Sequence, residues 1–293
     1  MTVVEVRRDT WFLGGLALAW FSAVFLFHGG YPYLAGALPS LPIGQQPDAM
    51  LRQGVSLTTS IDELKKKLLI EKDPVEKAHA VHNIGLTFYD LYTLSRRISD
   101  LDSARRYLER SAAALPDVAR FHYNLGRTYT EMRRHDLALV QYEGALALDP
   151  RHVLALHNLG LLTYFERTDG DRAREYLLRA LTIDAGLPIC NYVLGEIALD
   201  KKDFPEAMRR FRTELSLAAA GYGRRQDMPA SRESIEYALQ MTHLEIAGLF
   251  SAVYPDRDSA QAHINAYLGS ETDPVRRKEA MDKIRKFWVV RDK

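Results

Sequence analysis

Nine histidines and a single cysteine are the side chains of this 293-residue chain best suited to hold a metal or attack a substrate. His79 and His82 are three apart, which puts both on one face if their segment is helical, and His157 follows far downstream. A metal site needs acidic or sulfur ligands brought to the same point, and no His-Glu-x-x-His or paired-cysteine spacing supplies them. Cys190 alone can form neither an internal disulfide nor a cysteine-ligated cluster, and its apolar neighbours suit a small buried hydrophobe. The chain has no Gly-rich phosphate loop and no nucleophile elbow. The expectation is a non-enzymatic protein without metal, cofactor or small-molecule substrate. A formal net charge of +1 gives no electrostatic case for nucleic acid, and 47% hydrophobic with 26% charged residues is ordinary globular composition.

Function must then come from how the chain is built. The stretch ARFHYNLGRTYTEMRRHDLALVQYEGALALDP, residues 119–150, reads as two helices and a turn. Leu125, Gly126, Tyr129, Ala138, Tyr142, Ala145 and Pro150 stand at the spacing of a tightly crossed helix pair. Gly126 and Ala138 have almost no side chain, so two backbones can approach, while Tyr129 and Tyr142 fill the space beside the crossing and Pro150 ends the second helix.

The pattern recurs at a period near 34 residues. Upstream, Gly85, Ala104 and Pro116 mark a unit at 78–118, in which Gly85 to Ala104 is 19 residues where Gly126 to Ala138 is 12; the seven extra residues are expected in the turn near Leu94 to Ser99. Downstream, Leu159, Gly160, Ala173 and Ala180 mark 153–187, and Leu194, Gly195, Ala207 and Phe211 mark 188–221. A degenerate fifth pair within 222–272 keeps Gly248, Ala260 and Ile264 at the same offsets. These residues make the chain resemble the tetratricopeptide-repeat family. The resemblance implies an all-α, right-handed solenoid of four to five helix pairs, in which neighbours bury faces that no single unit can bury alone.

The same resemblance implies a groove lined by the first helix of each unit, where a partner's extended segment or helix would lie. Its positions fall here on His82, Tyr89, Tyr123, Arg127, Glu131, His157, Leu161, Tyr164, Tyr192 and Glu196. Repeats that grip a C-terminal carboxylate carry lysine at the fifth position and asparagine at the sixth. Asn83, Asn124 and Asn158 keep the asparagine, but the fifth is His82, Tyr123, His157 and Tyr192, so a carboxylate clamp is not expected.

The flanks suggest where such a solenoid would stand. Residues 1–9 form a short N-terminus containing Arg7 and Arg8; residues 10–28 are apolar and uncharged, about 28 Å if helical, long enough for a bilayer. No Lys or Arg follows until Arg52, which places the N-terminus in the cytoplasm and the repeats outside, on the periplasmic side of an inner membrane. Ala35-Gly36-Ala37 has the form of a processing site, leaving cleavage after Ala37 as an alternative to an uncleaved anchor; both put the repeats on the same side. Residues 29–59, with four prolines, are expected to form a stalk. Ser60 with Glu63 is expected to cap a short lead-in helix within 60–73, with Ile61, Leu64, Leu68 and Ile70 on one side, and Asp73-Pro74 to start the repeats, 74–221. Residues 273–293 are expected to be a capping helix; from Arg276 to Lys293 it holds eight basic and three acidic residues. The composite expectation is a membrane-anchored adaptor that binds protein subunits of a membrane or envelope complex. The alternative is a periplasmic holding chaperone for an unfolded client such as an apocytochrome or a pilus component.

Overall fold

A computed structural model describes residues 47–270, apart from 168, 222–231 and 255, together with 277–278. The apolar run at 10–28, the first part of the expected stalk, residues 222–231 and the expected capping helix apart from 277–278 lie outside the described residues. Within them the chain is all helix, with eleven α-helices and no strand. No helix among the described residues is long and apolar enough to cross a membrane. The chain divides into two compact units, one holding the described residues up to Leu187 and the other running from Pro188.

The first unit contains α1 (Pro47–Ile70), α2 (Pro74–Ser95), α3 (Ile98–Ala114), α4 (Ala119–Glu131), α5 (His135–Leu148), α6 (Val153–Arg167) and α7 (Gly170–Ile183). The second contains α8 (Cys190–Asp200), α9 (Phe204–Ala219), α10 (Arg232–Ala252) and α11 (Arg257–Ser270). Helices pair as α2/α3, α4/α5, α6/α7, α8/α9 and α10/α11.

One contact generates four of the pairs. Each first-helix glycine lies under the side chain four residues beyond the second-helix alanine. A Cβ on Gly85 would meet Leu108 Cγ at 2.8 Å, on Gly126 Tyr142 Cε1 at 2.7 Å, on Gly160 Leu177 Cδ2 at 2.7 Å, and on Gly195 the ring of Phe211. The alanines at the crossing, Ala104, Ala138, Ala173 and Ala207, are fully buried, as are Ala145 and Ala180 one or two turns on. Leu125, Leu159 and Leu194, each preceding its glycine, are core residues, and Ala260 and Ile264 repeat the buried pair on α11. Tyr142 fills the crossing. Tyr129 does not flank it but reaches back to the preceding pair, where its hydroxyl donates to Glu109 Oε1 at 2.7 Å. Burial and that neighbouring carboxylate push the Tyr129 phenol up to about 12.

Helix starts and stops follow local chemistry. Asp73 Oδ1 accepts from Val75 N at 2.7 Å and Pro74 opens α2; Asp169 and Asp203 cap α7 and α9 by accepting from Arg172 N and Glu206 N. Pro150 stands just beyond the end of α5, and Pro116 beyond α3.

The structure departs from the sequence expectations in three places. The seven extra residues of the first repeat do not form a long turn. Only Arg96 and Arg97 separate α2 from α3, and the insertion is absorbed as added length in both helices. Arg96 takes a left-handed conformation at φ 54° and its N–H closes onto Tyr92 O at 2.7 Å, the tight ending that makes so short a turn possible. The lead-in helix is not short either: α1 begins at Pro47, so residues 47–59 are helix and not stalk. Leu57, Ile61, Leu64 and Leu68 form one stripe, which packs on Ile84, Leu91, Phe88 and Tyr107, and this tertiary burial carries the helix upstream through Ser60. Ser60 Oγ therefore donates to Ser56 O within the helix and caps nothing. Ile70 is off that stripe and exposed, because four-three-four spacing ends at Leu68.

Candidate protein-binding face

In the first unit the first-helix positions singled out from sequence lie on α2, α4 and α6. His82, on α2, is fully buried and stacked on Phe121, ring centroids 4.1 Å apart. Asn124 Nδ2 donates to His82 Nε2 at 3.0 Å, so the proton is on Nδ1, which donates to Ser111 Oγ at 3.3 Å; that hydroxyl in turn donates to Leu108 O at 2.9 Å. This chain of hydrogen bonds ties the first repeat to the second. Burial, reinforced by the charge of Arg120 and by His79, lowers His82 to about 4, so it is neutral at physiological pH. His157, on α6, is also fully buried, and its Nδ1 lies 2.9 Å from Asn158 Oδ1. His79 meets the Phe121 ring edge-on instead of joining a ligand cluster, and no group of three or more His, Cys, Asp or Glu suited to a metal ion occurs among the described residues.

The polar centre of the face is Arg127. Its guanidinium carbon sits 4.6 Å from the Tyr89 ring centroid and 5.8 Å from that of Tyr123, a double cation–π arrangement. Glu131, one turn along α4, accepts from Tyr92 OH at 3.4 Å; burial raises its carboxyl, opposed by Arg96 and Arg127. Burial raises the carboxyl of Asp90 too, again with Arg127 opposing. Tyr123 is enclosed by Tyr142 and His152, with centroids at 6.1 and 4.8 Å. Tyr164 is half-buried and packs edge-on against Phe165 at 5.1 Å.

In the second unit Tyr192 is buried against Phe211 at 6.2 Å. Glu196 is buried on α8, and burial, with the charge of Asp200 added, pushes its carboxyl up to about 8. Glu245 on α10 is buried as well and is raised by burial and by Glu196. Glu196 Oε1 and Glu245 Oε2 accept no hydrogen bond among the described residues.

Seven of the ten positions, His82, Tyr89, Tyr123, His157, Leu161, Tyr192 and Glu196, are thus closed off by packing inside their own unit. The surface is presented by the other three, Arg127, Glu131 and Tyr164, with Leu86, Thr130 and Leu154 half-buried beside them. Asn124 and Asn158 are engaged internally, the latter reaching Tyr142 OH at 3.4 Å. The partner of Glu196 was not legible in sequence: Glu245 belongs to the degenerate pair, where the repeat count loses its register.

The helix pairs define a repeat protein, and comparison with known proteins says which kind. Residues 119–152 match the tetratricopeptide-repeat family and are a tetratricopeptide repeat. It is 34% identical over 115 residues to "Uncharacterized protein ycf37" of Guillardia theta, a match covering 37% of this chain and 64% of that relative, which is less than two thirds of its length. Among solved structures it is similar to a chain of the APC/C hetero-tetramer Cut9-Hcn1, at 17% identity and a TM-score of 0.56, over 98% of this chain and 48% of that one. MamA is also similar, at 21% identity and a TM-score of 0.48, over 60% of this chain and 96% of MamA. At these identities the likeness is one of fold.

Proposed function

We propose that the chain is a non-enzymatic adaptor, anchored in the inner membrane by residues 10–28, whose repeats wind into a right-handed solenoid on the periplasmic side and bind a protein subunit of a membrane complex. The observation that carries the reading is the α2, α4 and α6 face. There Arg127 is held over two tyrosine rings, with the Glu131 carboxyl and the Tyr164 ring at the surface on either side. A charge fixed before binding loses little entropy when a partner arrives, so such a face suits an extended segment whose carbonyls or acidic side chain meet Arg127 while apolar residues cover Tyr164 and Leu86.

The test is capture of partners by the full-length chain from solubilised membranes. Arg127→Ala combined with Tyr164→Ala lowers affinity for the captured subunit by at least about tenfold, or 1.4 kcal/mol. Normal binding by that variant, with loss on charge reversal in Arg276–Lys293, moves the interface to the C-terminal segment. A subunit of a standing complex copurifies in fixed stoichiometry; a partner released as it folds marks a holding chaperone instead. A reporter fused after Lys293 that proves cytoplasmic refutes the topology.

A further inference from the structure

Two large apolar side chains at the end of α1 are left open by the described residues. Leu69 is 85% exposed and Ile70 79%, and across the three-residue turn Val75, in the first turn of α2, is 46% exposed. Leu68, next to them, completes the stripe that packs on α2. Two adjacent bulky residues beyond a finished stripe add nothing to the fold, and a single exposed leucine is common where such a cluster is not.

The polar residues around the tip divide into two sets. The carboxylates of Glu71 and Asp73 turn inward onto the backbone: Glu71 Oε1 accepts from Lys72 N at 2.8 Å and Asp73 N at 3.0 Å, and Asp73 caps α2. Lys65 is drawn back over the Phe88 ring at 5.6 Å. Lys66, Lys67, Lys72 and Lys77 are exposed; Glu76 is an exposed carboxylate at the tip that makes no capping contact, and the exposed Asp62 and Glu63 lie a turn farther up α1, away from the knob. An apolar knob ringed by outward lysines, with the two acids of the turn, Glu71 and Asp73, held on amides, matches an anionic phospholipid surface: the knob enters the headgroup boundary and the lysines meet phosphates.

We infer that the α1–α2 tip, Leu69, Ile70 and Val75 within their lysine collar, is a second membrane contact that seats the first unit on an anionic bilayer surface. The inference rests on the anchor reading for its geometry. The 18 residues between His28 and Pro47 cannot span more than about 60 Å, and α1 is about 36 Å long, so an anchored chain keeps the tip within reach of its own bilayer. One anchor and one interfacial contact would fix the direction of the repeats, where an anchor alone leaves them free to swing.

The test uses the full chain reconstituted in phosphatidylglycerol–phosphatidylcholine vesicles, with an environment-sensitive fluorophore on Ile70→Cys. Cys190 is buried and stays unlabelled, and Val140→Cys on the exposed side of α5 is the control. Lipids carrying a quencher near the headgroup quench the probe at position 70 more than lipids quenched deep in the tail, as a depth of about 5–10 Å requires, and leave the control bright. Leu69→Asp, which touches no core residue, abolishes that quenching, and Lys66→Glu with Lys67→Glu or vesicles of phosphatidylcholine alone reduce it. A probe that stays bright in a chain resisting alkaline extraction overturns the tip and leaves the anchor standing. If the chain is instead extracted, the anchor fails and quenching on added vesicles judges the tip alone. Lipid-independent disulfide cross-linking between two Ile70→Cys chains would show that a second copy covers the knob, and would overturn the inference.

Discussion

The two units use one repeat contact and treat their buried polar groups in opposite ways. In the first, His82, Ser111 and Asn124 satisfy one another in a continuous hydrogen-bond chain, and Arg127 is held by tyrosine faces. In the second, Glu196 and Glu245 are buried on neighbouring helices, each with an oxygen that accepts no hydrogen bond among the described residues, and the charge of Glu196 adds to the cost of ionising Glu245. Glu214, also fully buried, is spent differently: its Oε1 accepts from Ile189 N at 2.6 Å and holds that β-branched residue at φ 68°, in the left-handed region. The lesson is that a repeat signature sets helix crossings and leaves the polar contents of each interface free. Two stretches of one fold can then differ in their response to pH.

The largest expected effect concerns the crossing itself. Phe211→Ala empties a fully buried ring site in the second unit and costs about 3–5 kcal/mol. Followed by hydrogen exchange, protection is lost first across 188–270; simultaneous loss across 47–187 would sink the division into two units.

Next comes a graded series at the glycines. Gly195→Ala and Gly126→Ala drive a Cβ into rings that are almost wholly enclosed, and overpacking of that kind costs about 1–3 kcal/mol. Gly160→Ala meets an equally buried side chain, Leu177, whose methyl groups can change rotamer where a ring cannot, so it is the milder change; alanine's better helix propensity returns up to about 1 kcal/mol at all three sites. Thermal melts that rank Gly160→Ala worst would show that the leucine sites are the rigid ones.

The pH dependences sharpen the contrast. Glu196 is raised in the folded state, so its contribution is fully present below its unfolded value near 4.5 and is lost as pH rises through about 8. Protection of the second unit therefore falls as pH rises from about 4.5 to about 8 and levels off above, and Glu196→Gln flattens that limb. His82 is lowered, so the unfolded chain binds its proton first, and stability present above 6.5 is lost as pH falls toward about 4. Acid should loosen the junction of the first two repeats, and His82→Gln should blunt the response. His243 and His263, whose Nδ1 atoms are 2.9 Å apart between α10 and α11, are lowered as well, so the second unit has an acid limb too, and the raised carboxyls of Glu131 and Asp90 give the first unit a loss on raising pH; what marks the second unit is that the Glu196 limb runs to about pH 8.

The smallest expected effect is Arg127→Lys. Charge is kept, but a compact ammonium stacks on Tyr89 and Tyr123 less well than the guanidinium does, so stability falls by about 0.5–1 kcal/mol. A loss several times larger would mean that Arg127 holds the interface together and is not merely seated in it.

Local rules made much of the fold legible. Gly126 with Ala138, and the same pair in three other units, could be read because small residues at fixed offsets are the condition for close helix crossing, whatever surrounds them. Asp73-Pro74 could be read because a cap and a fixed φ act within three residues. The candidate face was legible only as a list of positions. Counting puts Tyr123 and Arg127 on the same helix face, but whether a side chain on it meets solvent depends on the neighbouring helix, and His152 and Tyr142 close over Tyr123 while Arg127 keeps an edge outside.

The amino-acid order by itself determined the helix pairs, their small-residue crossings and the repeat class, since these depend on spacings of about a dozen residues along one chain. Tertiary structure alone decided the rest. An insertion became helix instead of loop because both helices had partners to lie on, and α1 ran upstream of its apparent cap because Leu57 found Ile84 and Leu91 to pack near. Ile70 was left in solvent because the stripe ended at Leu68. Glu196 came to face a second carboxylate because α10 brought Glu245 beside it. Burial and charge coupling belong to pairs of residues far apart in sequence, and only packing sets the distance between them.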